Sequence, residues 1–509
     1  MLAKVVSAAV LGVDAQPVDV ECDVTGGFPS FDTVGLAELT VREARVRVRS
    51  AIRHSALPFP KTRVVVNLAP ADVRKEGTMF DLPVALAVLQ ADGAIPLDCL
   101  EGWVVLGELS LTGAVRPVCG VLAVAEMVQR LGLRGILCPI DNVAEASVVP
   151  GVEVRVAATI AEVVSCLRRE KPWPDLPIPE EPRLSRLGLC WSDVRGHAVA
   201  KRALEIAAAG GHNVVMVGTP GTGKTMLARR IPTILPLLEP AESIEVTKVH
   251  SVAGLLPRGQ GLLRERPFRA PHHTVSGPAL VGGGSVPKPG EVSLAHRGVL
   301  FLDELAEFQR HVLETLRQPL EEGQAQVTRA RQTTRFPARF MLVAASNGCP
   351  CGNLGSLHKH CSCSQVALER YRARLSGPIL DRIDIQIQLR ALPAEALRQG
   401  PVGETSAQVR QRVQEARARQ NQRFRQLGGG LNAEIPMRRL QELSPLEPNV
   451  HDLLLRALSK FGLSPRAHDR IWRVARTIAD LDARAQIGAE HVAEALQYRH
   501  FDEPLQQAA

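Results

Sequence analysis

The sequence predicts an α/β protein built on a parallel sheet with a phosphate-binding loop, and three observations carry that expectation. The first is the stretch 213–230. Val214, Val215, Met216 and Val217 form a continuous apolar run, the pattern of a strand buried on both faces. Gly218-Thr-Pro-Gly-Thr-Gly-Lys-Thr225 follows, a complete G-x-x-x-x-G-K-[ST], and Met226-Leu-Ala-Arg-Arg230 continues as helix-forming sequence. The second is Gly298-Val-Leu-Phe-Leu-Asp-Glu304, an apolar strand that delivers two carboxylates at its C-terminal end, where parallel sheets bind ligands. The third is the alternation of short strand candidates with helical stretches along most of the chain.

In the glycine-rich loop, Gly218, Gly221 and Gly223 free the backbone to turn its N–H groups inward, and Pro220 and Thr222 complete the turn. The following helix N-terminus adds its positive dipole end. Lys224 is placed to reach the β- and γ-phosphates of ATP, and the Thr225 hydroxyl to hold Mg²⁺. About 80 residues later, Asp303 is placed to hold the same Mg²⁺ and Glu304 to polarise an attacking water. A third apolar strand, 340–346, ends in Asn347, whose amide could orient that water or serve merely as a turn residue. Arg382 stands between Asp381 and Asp384 ahead of a further strand, either as a local ion pair or as an arginine finger for a neighbouring subunit.

Bulk composition sets outer bounds. A chain of 509 residues accommodates two or three domains, each with its own core. The net charge of +8 is compatible with a polyanionic partner without specifying one. No apolar run approaches the ~18 residues of a membrane span. Gly12 and Asp14 interrupt the apolar N-terminal stretch, which argues against a signal peptide and for a cytoplasmic protein. Six of the ten cysteines (Cys22, Cys99, Cys119, Cys138, Cys166, Cys190) are scattered and read as core thiols in a reducing compartment.

Taken in order, residues 1–168 read as one α/β domain, with strands at 18–24, 62–68, 103–107, 136–138 and 152–156 and helices at 39–55, 81–90 and 121–129. The proline-rich 169–188 reads as a semi-rigid linker. Residues 189–395 form the nucleotide-binding unit: helix 198–209 with a Gly210-Gly211 cap, then strands at 243–249, 299–303, 340–346 and 383–389. Residues 396–509 turn helical and basic, with helices at 406–427, 450–461, 465–481 and 489–498.

Two loops stand out. Cys349-Pro-Cys351 and Cys361-Ser-Cys363 enclose nine turn-forming residues and make a candidate structural Zn²⁺ site, with His358 or His360 as substitute ligands and an iron–sulfur cluster as the alternative. Residues 326–336 alternate β-formers with Arg329, Arg331 and Arg335 around a polar turn, which predicts a hairpin. Its arginines could follow nucleic-acid phosphates or simply face solvent. His272 and His273 lack a second ligand set nearby in sequence and read as structural.

Together these motifs resemble the AAA+ ATPase core of the magnesium-chelatase and MCM-helicase branch: GTPGTGKT, VLFLDE, the strand ending in Asn347, LSGPILDRID and LSPRAHDRIWRVARTIADL. The resemblance assigns Lys224, Thr225, Asp303 and Glu304 to the two Walker motifs, Asn347 to sensor 1, Arg382 to the arginine finger and Arg466 to sensor 2. It sets Val194, Arg195 and Gly196 beside the adenine, and the 326–336 hairpin in the pore of a ring. RPFRAPHHTVSGPALVGGGSVPKPGEVSLAHRGVLFLDE and TRARQTTRFPARFMLVAASNGCPCG are similar to the ComM/YifB family over essentially the whole chain. That likeness implies an AAA+ P-loop sheet, an N-terminal Lon-protease-like α/β domain and a C-terminal helical lid. It also implies a homo-hexameric, ATP-driven motor on single-stranded or branched DNA, active in branch migration and natural transformation alongside recombination proteins. A chelatase-type motor that remodels a protein partner for metal insertion is the alternative. In the Lon-like part, KEGTMFDLPV and GELSLTGAVRPV set Met79 and Leu122 where Lon proteases carry serine and lysine, so proteolysis is not expected.

Overall fold

The computed structural model describes residues 1–35, 39–73, 75, 77–177, 188–284, 287–329, 332–356, 359–374, 377–392 and 403–499. Half of the expected linker and the expected boundary at 395 fall outside these residues.

The chain builds two separate sheets. The first has seven strands in the order β3-β4-β2-β1-β5-β8-β9. These are β1 (Leu2–Leu11), β2 (Asp14–Thr25), β3 (Ser30–Val34), β4 (Arg63–Ala69), β5 (Trp103–Val105), β8 (Gly135–Pro139) and β9 (Glu153–Ala157), while β6 (Glu108–Leu109) and β7 (Val115–Arg116) make a small hairpin. β1 and β2 pair antiparallel from Leu2↔Asp23 to Leu11↔Asp14, across a turn that Gly12 enters at φ +68°. β1 pairs parallel with β5 on its other side, so the stretch set aside as a discounted leader is a central strand. Helices α1 (Leu39–His54), α2 (Asp81–Ala91), α3 (Val121–Arg130), α4 (Val143–Ala146) and α5 (Ile160–Leu167) accompany this sheet. α2 is buried along its whole length, which explains its apolar run from Leu82 to Leu89.

The second sheet is wholly parallel among its described pairings, in the order β11-β14-β17-β10-β18. Its members are β10 (Val214–Gly218), β11 (Phe268–Arg269), β14 (Val299–Leu302), β17 (Met341–Ser346) and β18 (Ile385–Leu389). β10, β14 and β17 are apolar throughout because helices cover both faces: α6 (Ala198–Gly210), α7 (Lys224–Ile234) and α8 (Pro240–Val252) belong to this unit. Asn213 ties the strands together at their N-terminal edge. Its side chain donates to Arg382 O at 3.0 Å and accepts from Leu342 N at 2.9 Å, and its carbonyl accepts from Asp384 N and Ile385 N.

One expected strand is a helix. Residues 243–249 lie within α8, which starts at Pro240 with Glu239 N donating to the Glu242 carboxylate. Ile244, Val246, Thr247 and Val249 carry the β-branched signature of a strand. Their burial follows helical spacing instead, at Ser243, Val246, Thr247 and Val249, and tertiary packing overrides propensity.

The C-terminal helices Ser406–Arg423, Met437–Leu443, Pro448–Phe461, Pro465–Leu481 and Ala489–Gln497 share one hydrophobic cluster with the second sheet, through Val413, Leu454, Trp472 and Ile478. Their ends are sequence-encoded: Thr405 and Ser464 cap N-termini, and Gly462 closes a C-terminus at φ +62°. Buried Asp480 receives Arg423 and Arg476, so the lid core carries a buried ionic knot.

The first sheet unit docks on α8. Gly120 N donates to Ser251 Oγ at 2.9 Å, Ser251 donates to buried Glu145, and Lys248 pairs with Glu126 at 2.6 Å and Asp14 at 3.1 Å. A small hairpin, β15 (Gln324–Arg329) with β16 (Gln332–Pro337), projects from the second unit, and β12 (Gly282–Gly283) pairs with β13 (Lys288–Pro289) beneath it. Gly12 sits so close to this hairpin that a Cβ there would lie 2.8 Å from Thr334 Cγ2.

Candidate active site

Polar side chains converge at the C-terminal ends of β10, β14 and β17. Gly221 and Gly223 hold φ +81° and +84°, which gives the loop its inward turn. Lys224 is only 8% exposed; its ammonium donates to Gly218 O at 2.7 Å, Thr219 O at 3.0 Å and Asn347 Oδ1 at 3.2 Å. Burial lowers its pKa, against the opposing charges of Asp303 and Glu304. Thr225 Oγ1 donates to Asp303 Oδ2 at 2.8 Å, so the hydroxyl and carboxylate already share the position a divalent cation takes between them. Gly218 admits no side chain, because a Cβ would stand 2.5 Å from Leu389 O. The structure therefore brings Lys224, Thr225, Asp303 and Asn347 into one space.

Glu304 adopts the left-handed conformation, φ 53° and ψ 49°, costly for a non-glycine residue and typical of functional positions. Its carboxylate is 3.4 Å from His273 Nδ1, and His273 stacks on His272 with ring centroids 4.0 Å apart. The sequence offered no signal for this contact, since the two residues lie on different segments. Val194, Arg195 and Gly196 immediately precede His197, which approaches that loop. Val194 is buried, its carbonyl accepts from Lys201, and Gly196 at φ +64° leads to His197, whose Nε2 approaches the Gly223 position.

Arg382 and Arg466 lie elsewhere. β18 runs parallel to β10 with Val214↔Ile385 and Gly218↔Leu389, so the residues before Ile385 sit at the sheet edge opposite the loop. That is a strand length, roughly 15–20 Å, from Lys224. There Arg382 pairs with Glu321, and Arg466 pairs with the adjacent Asp381 at 2.7 Å. Burial lowers the pKa of Arg382, aided by the nearby cations Arg317, Arg466 and Arg470.

Family models for the magnesium chelatase subunit ChlI match three stretches: the chelatase model residues 190–397, the ChlI subunit model residues 20–142 and the ChlI C-terminal model residues 403–499. Competence protein ComM of Haemophilus influenzae is 44% identical, with 99% of each chain covered. The uncharacterized protein YifB of Escherichia coli is 43% identical over 99% of this chain and 98% of its own. The chain belongs to the ComM/YifB family. The magnesium-chelatase 38 kDa subunit of Cereibacter sphaeroides is similar over a smaller part, 27% identical across 31% of this chain and 52% of its own. This ComM/YifB-family chain is accordingly an AAA+ protein of the ATP-hydrolysing class, with a helical lid.

In this ComM/YifB-family chain the four clustered cysteines converge. Their sulfurs all lie within 4.8 Å of one another, with Cys349–Cys351 at 3.3 Å and Cys361 at 3.6 Å from each. Tetrahedral thiolates 2.3 Å from a zinc ion stand about 3.8 Å apart, so the donor set fits such an ion. The N–H groups of Asn353 and Ser362 lower the Cys351 pKa to about 6, favouring the thiolate that binds metal. The loop also abuts the phosphate-binding loop: a Cβ on Gly352 would lie 2.9 Å from Pro220 Cγ. His360 is exposed, and His358 lies outside the described residues. Of the scattered thiols, Cys22, Cys138 and Cys166 are buried as expected, whereas Cys119 is exposed.

The hairpin expected at 326–336 is present, from Gln324↔Pro337 to Arg329↔Gln332. Arg335 is exposed on it, and Arg331 lies outside the described residues. In the first sheet unit, Leu122 is fully buried and Met79 packs into the same apolar cluster. Thr78 donates to Glu108, Ser110 bonds Thr112 and Lys75 donates to Pro70 O, so among the described residues no lysine bonds either hydroxyl.

Proposed function

We propose that this chain is an ATP-driven ring motor whose subunits complete one another's nucleotide sites. The supporting observation is the two-ended sheet: Lys224, Thr225, Asp303 and Asn347 gather at one edge, and Arg382 with Arg466 at the other. An arginine so far from its own loop is placed to serve a neighbour's γ-phosphate, in a homo-hexamer of cytoplasmic subunits. The division into 1–168, 189–395 and 396–509 is part of this reading. Mg²⁺ held by Thr225 and Asp303 would offset charge on the β- and γ-phosphate oxygens. Glu304 orients and deprotonates water, Asn347 senses the γ-phosphate through Lys224, and Val194–Gly196 border the base. The four thiolates hold a structural Zn²⁺ that stiffens the loop against Pro220. No helix among the described residues is long and apolar enough to cross a membrane.

The client is the open question between two readings. The chelatase-type reading, a motor remodelling a protein partner, has the more direct support of the comparisons, because all three family models bear the chelatase subunit's name. The full-length relative's printed name ties it to competence, and the hairpin that exposes Arg335 favours DNA, single-stranded or branched, with recombination proteins as partners. ATPase activity measured with and without single-stranded and branched DNA separates them. Stimulation that fades with salt supports the DNA motor; its absence, with no salt-sensitive binding, leaves the chelatase-type reading. Metal analysis of the purified protein tests the thiol site: near-stoichiometric zinc supports it, and a lack of zinc rejects it.

A further inference from the structure

Positive charge is unevenly spread along this chain. Residues 39–63 hold seven Lys/Arg against one carboxylate, Glu43, a surplus of six beside a net charge of +8 for all 509 residues. Most of this segment is α1, whose Ala44, Val48, Ala51 and Ile52 face the core. Arg45, Arg49 and Arg53 recur every fourth residue, so they share the opposite face as an exposed row about 6 Å apart.

Some of the other surface arginines are held by carboxylates. Arg134, Arg310 and Arg438 each hold a carboxylate, and Arg47 on the flank of α1 holds buried Asp81 at 2.7 Å. Among the described residues Arg45, Arg49 and Arg53 pair with no carboxylate. Aromatic side chains adjoin the row instead. The Arg49 guanidinium lies 5.6 Å from the Phe59 ring centre, and Phe59 is 6.1 Å from Phe31 on the edge strand β3. Three residues before Phe31, Phe28 is 94% exposed. Lys61 adds a further exposed positive charge, while Arg63 pairs with Asp32 of β3 at 3.8 Å. Unpaired guanidinium groups with a half-buried ring beside them suit a polyanion that also presents stacking faces. A protein partner would have to bring a matching acidic strip, whereas a nucleic acid brings phosphates and bases at once.

We propose that the Arg45–Arg49–Arg53 face of α1, with Phe59 beside Arg49, is a second DNA contact, in which the arginines meet backbone phosphates and the ring meets a base. This rests on the DNA-motor reading above. It gives the first sheet unit a grip on the strand separate from the hairpin of the ATPase unit.

The test is binding of the full-length protein to a fluorescein-labelled single-stranded oligonucleotide, read by anisotropy from about 50 to 200 mM salt. The triple variant Arg45→Gln, Arg49→Gln, Arg53→Gln should bind at least about tenfold more weakly. Its log-affinity against log-salt slope should shrink by about 2, as for three lost single-strand phosphate contacts. Its thermal midpoint should match that of the unmodified protein, since the three side chains are exposed, and Arg438→Gln should bind as the unmodified protein does. Unchanged affinity and slope in the triple variant overturn the proposal, and if Arg335→Gln alone weakens binding, the motor reading survives without it. No binding by the unmodified protein removes the DNA reading and this contact together. Loss of binding to anionic phospholipid vesicles with DNA binding intact would reassign the face to a membrane surface and overturn the proposal.

Discussion

At the C-terminal ends of β10, β14 and β17, the second sheet gathers Lys224, Asp303 and Asn347 into one polar group; at the comparable chemical position of the first sheet, Met79 and Leu122 lie in an apolar cluster. The two units use the same layers and differ in where their polar groups end. In the first, Arg47 is consumed by Asp81, Thr78 by Glu108, and Glu145 by Leu122 N and Ser251 of α8. Every such group is closed on the protein itself. In the second, Lys224 and Asn347 hold each other only loosely, at 3.2 Å, and Glu304 rests in a strained backbone against a histidine. An α/β sheet thus becomes a reaction site when its strand ends gather polar groups on one another, and a docking block when those groups are committed to structural partners.

The contrast can be broken in several places. The largest effect expected is from Arg382→Ala, which should lower kcat by about 10³-fold or more while ATP binding persists. Mixing it with Lys224→Ala subunits should restore part of the turnover, because each variant supplies the half-site the other lacks. A loss below about tenfold would break the two-ended reading. Next, Glu304→Gln should retain ATP binding and lose at least about 10²-fold in turnover, measured by steady-state phosphate release. Retained turnover would falsify the assignment of the base. On the sealed side, Met79→Ser combined with Leu122→Lys should give no cleavage of a fluorescent casein. It should destabilise the protein by on the order of 3 kcal/mol in chemical denaturation, since it buries an unpaired ammonium in the apolar cluster.

The smallest effect concerns Glu145. Burial raises its pKa, only partly offset by hydrogen bonds from Ser251 and Leu122 N. A carboxyl raised in the folded state binds more protons there than in the unfolded chain. Its contribution is therefore most favourable at acid pH and declines as pH rises from its ordinary value through the raised one. Glu145→Gln should flatten this dependence and raise the unfolding midpoint at alkaline pH, read by thermal melts across a pH series.

Much of the active site was legible because its spacing is local: the glycine loop, the Asp303–Glu304 pair and the apolar strand before Asn347 each announce themselves within a dozen residues. The placement of Arg382 was legible only as a choice between an ion pair and a finger, and the strand register shows it at the far edge of the sheet, paired with Glu321. Contacts between distant segments left no trace. His273 against Glu304, Gly352 against Pro220 and Ser251 against Glu145 depend on tertiary closure. α8 reads as a strand because β-branched residues mark strands on average, whereas its packing on α3 and on residues 291–294 is a contact between distant segments. β1 was passed over because its apolar run, broken at Gly12, resembled a failed leader more than the first arm of a hairpin.

Asn213 has one more consequence. It joins the N-terminal ends of β10, β17 and β18 and grips the carbonyl of Arg382, while the other end of β10 carries the phosphate-binding loop. The strand pair is thereby a ruler with a nucleotide site marked at one end and an arginine at the other. In a closed circle of identical copies the interval between successive ATP molecules would be set by that short, rigid length of sheet, the same at every step. Any change in the pitch of the circle would then have to come from the joints between copies, because the ruler itself does not stretch.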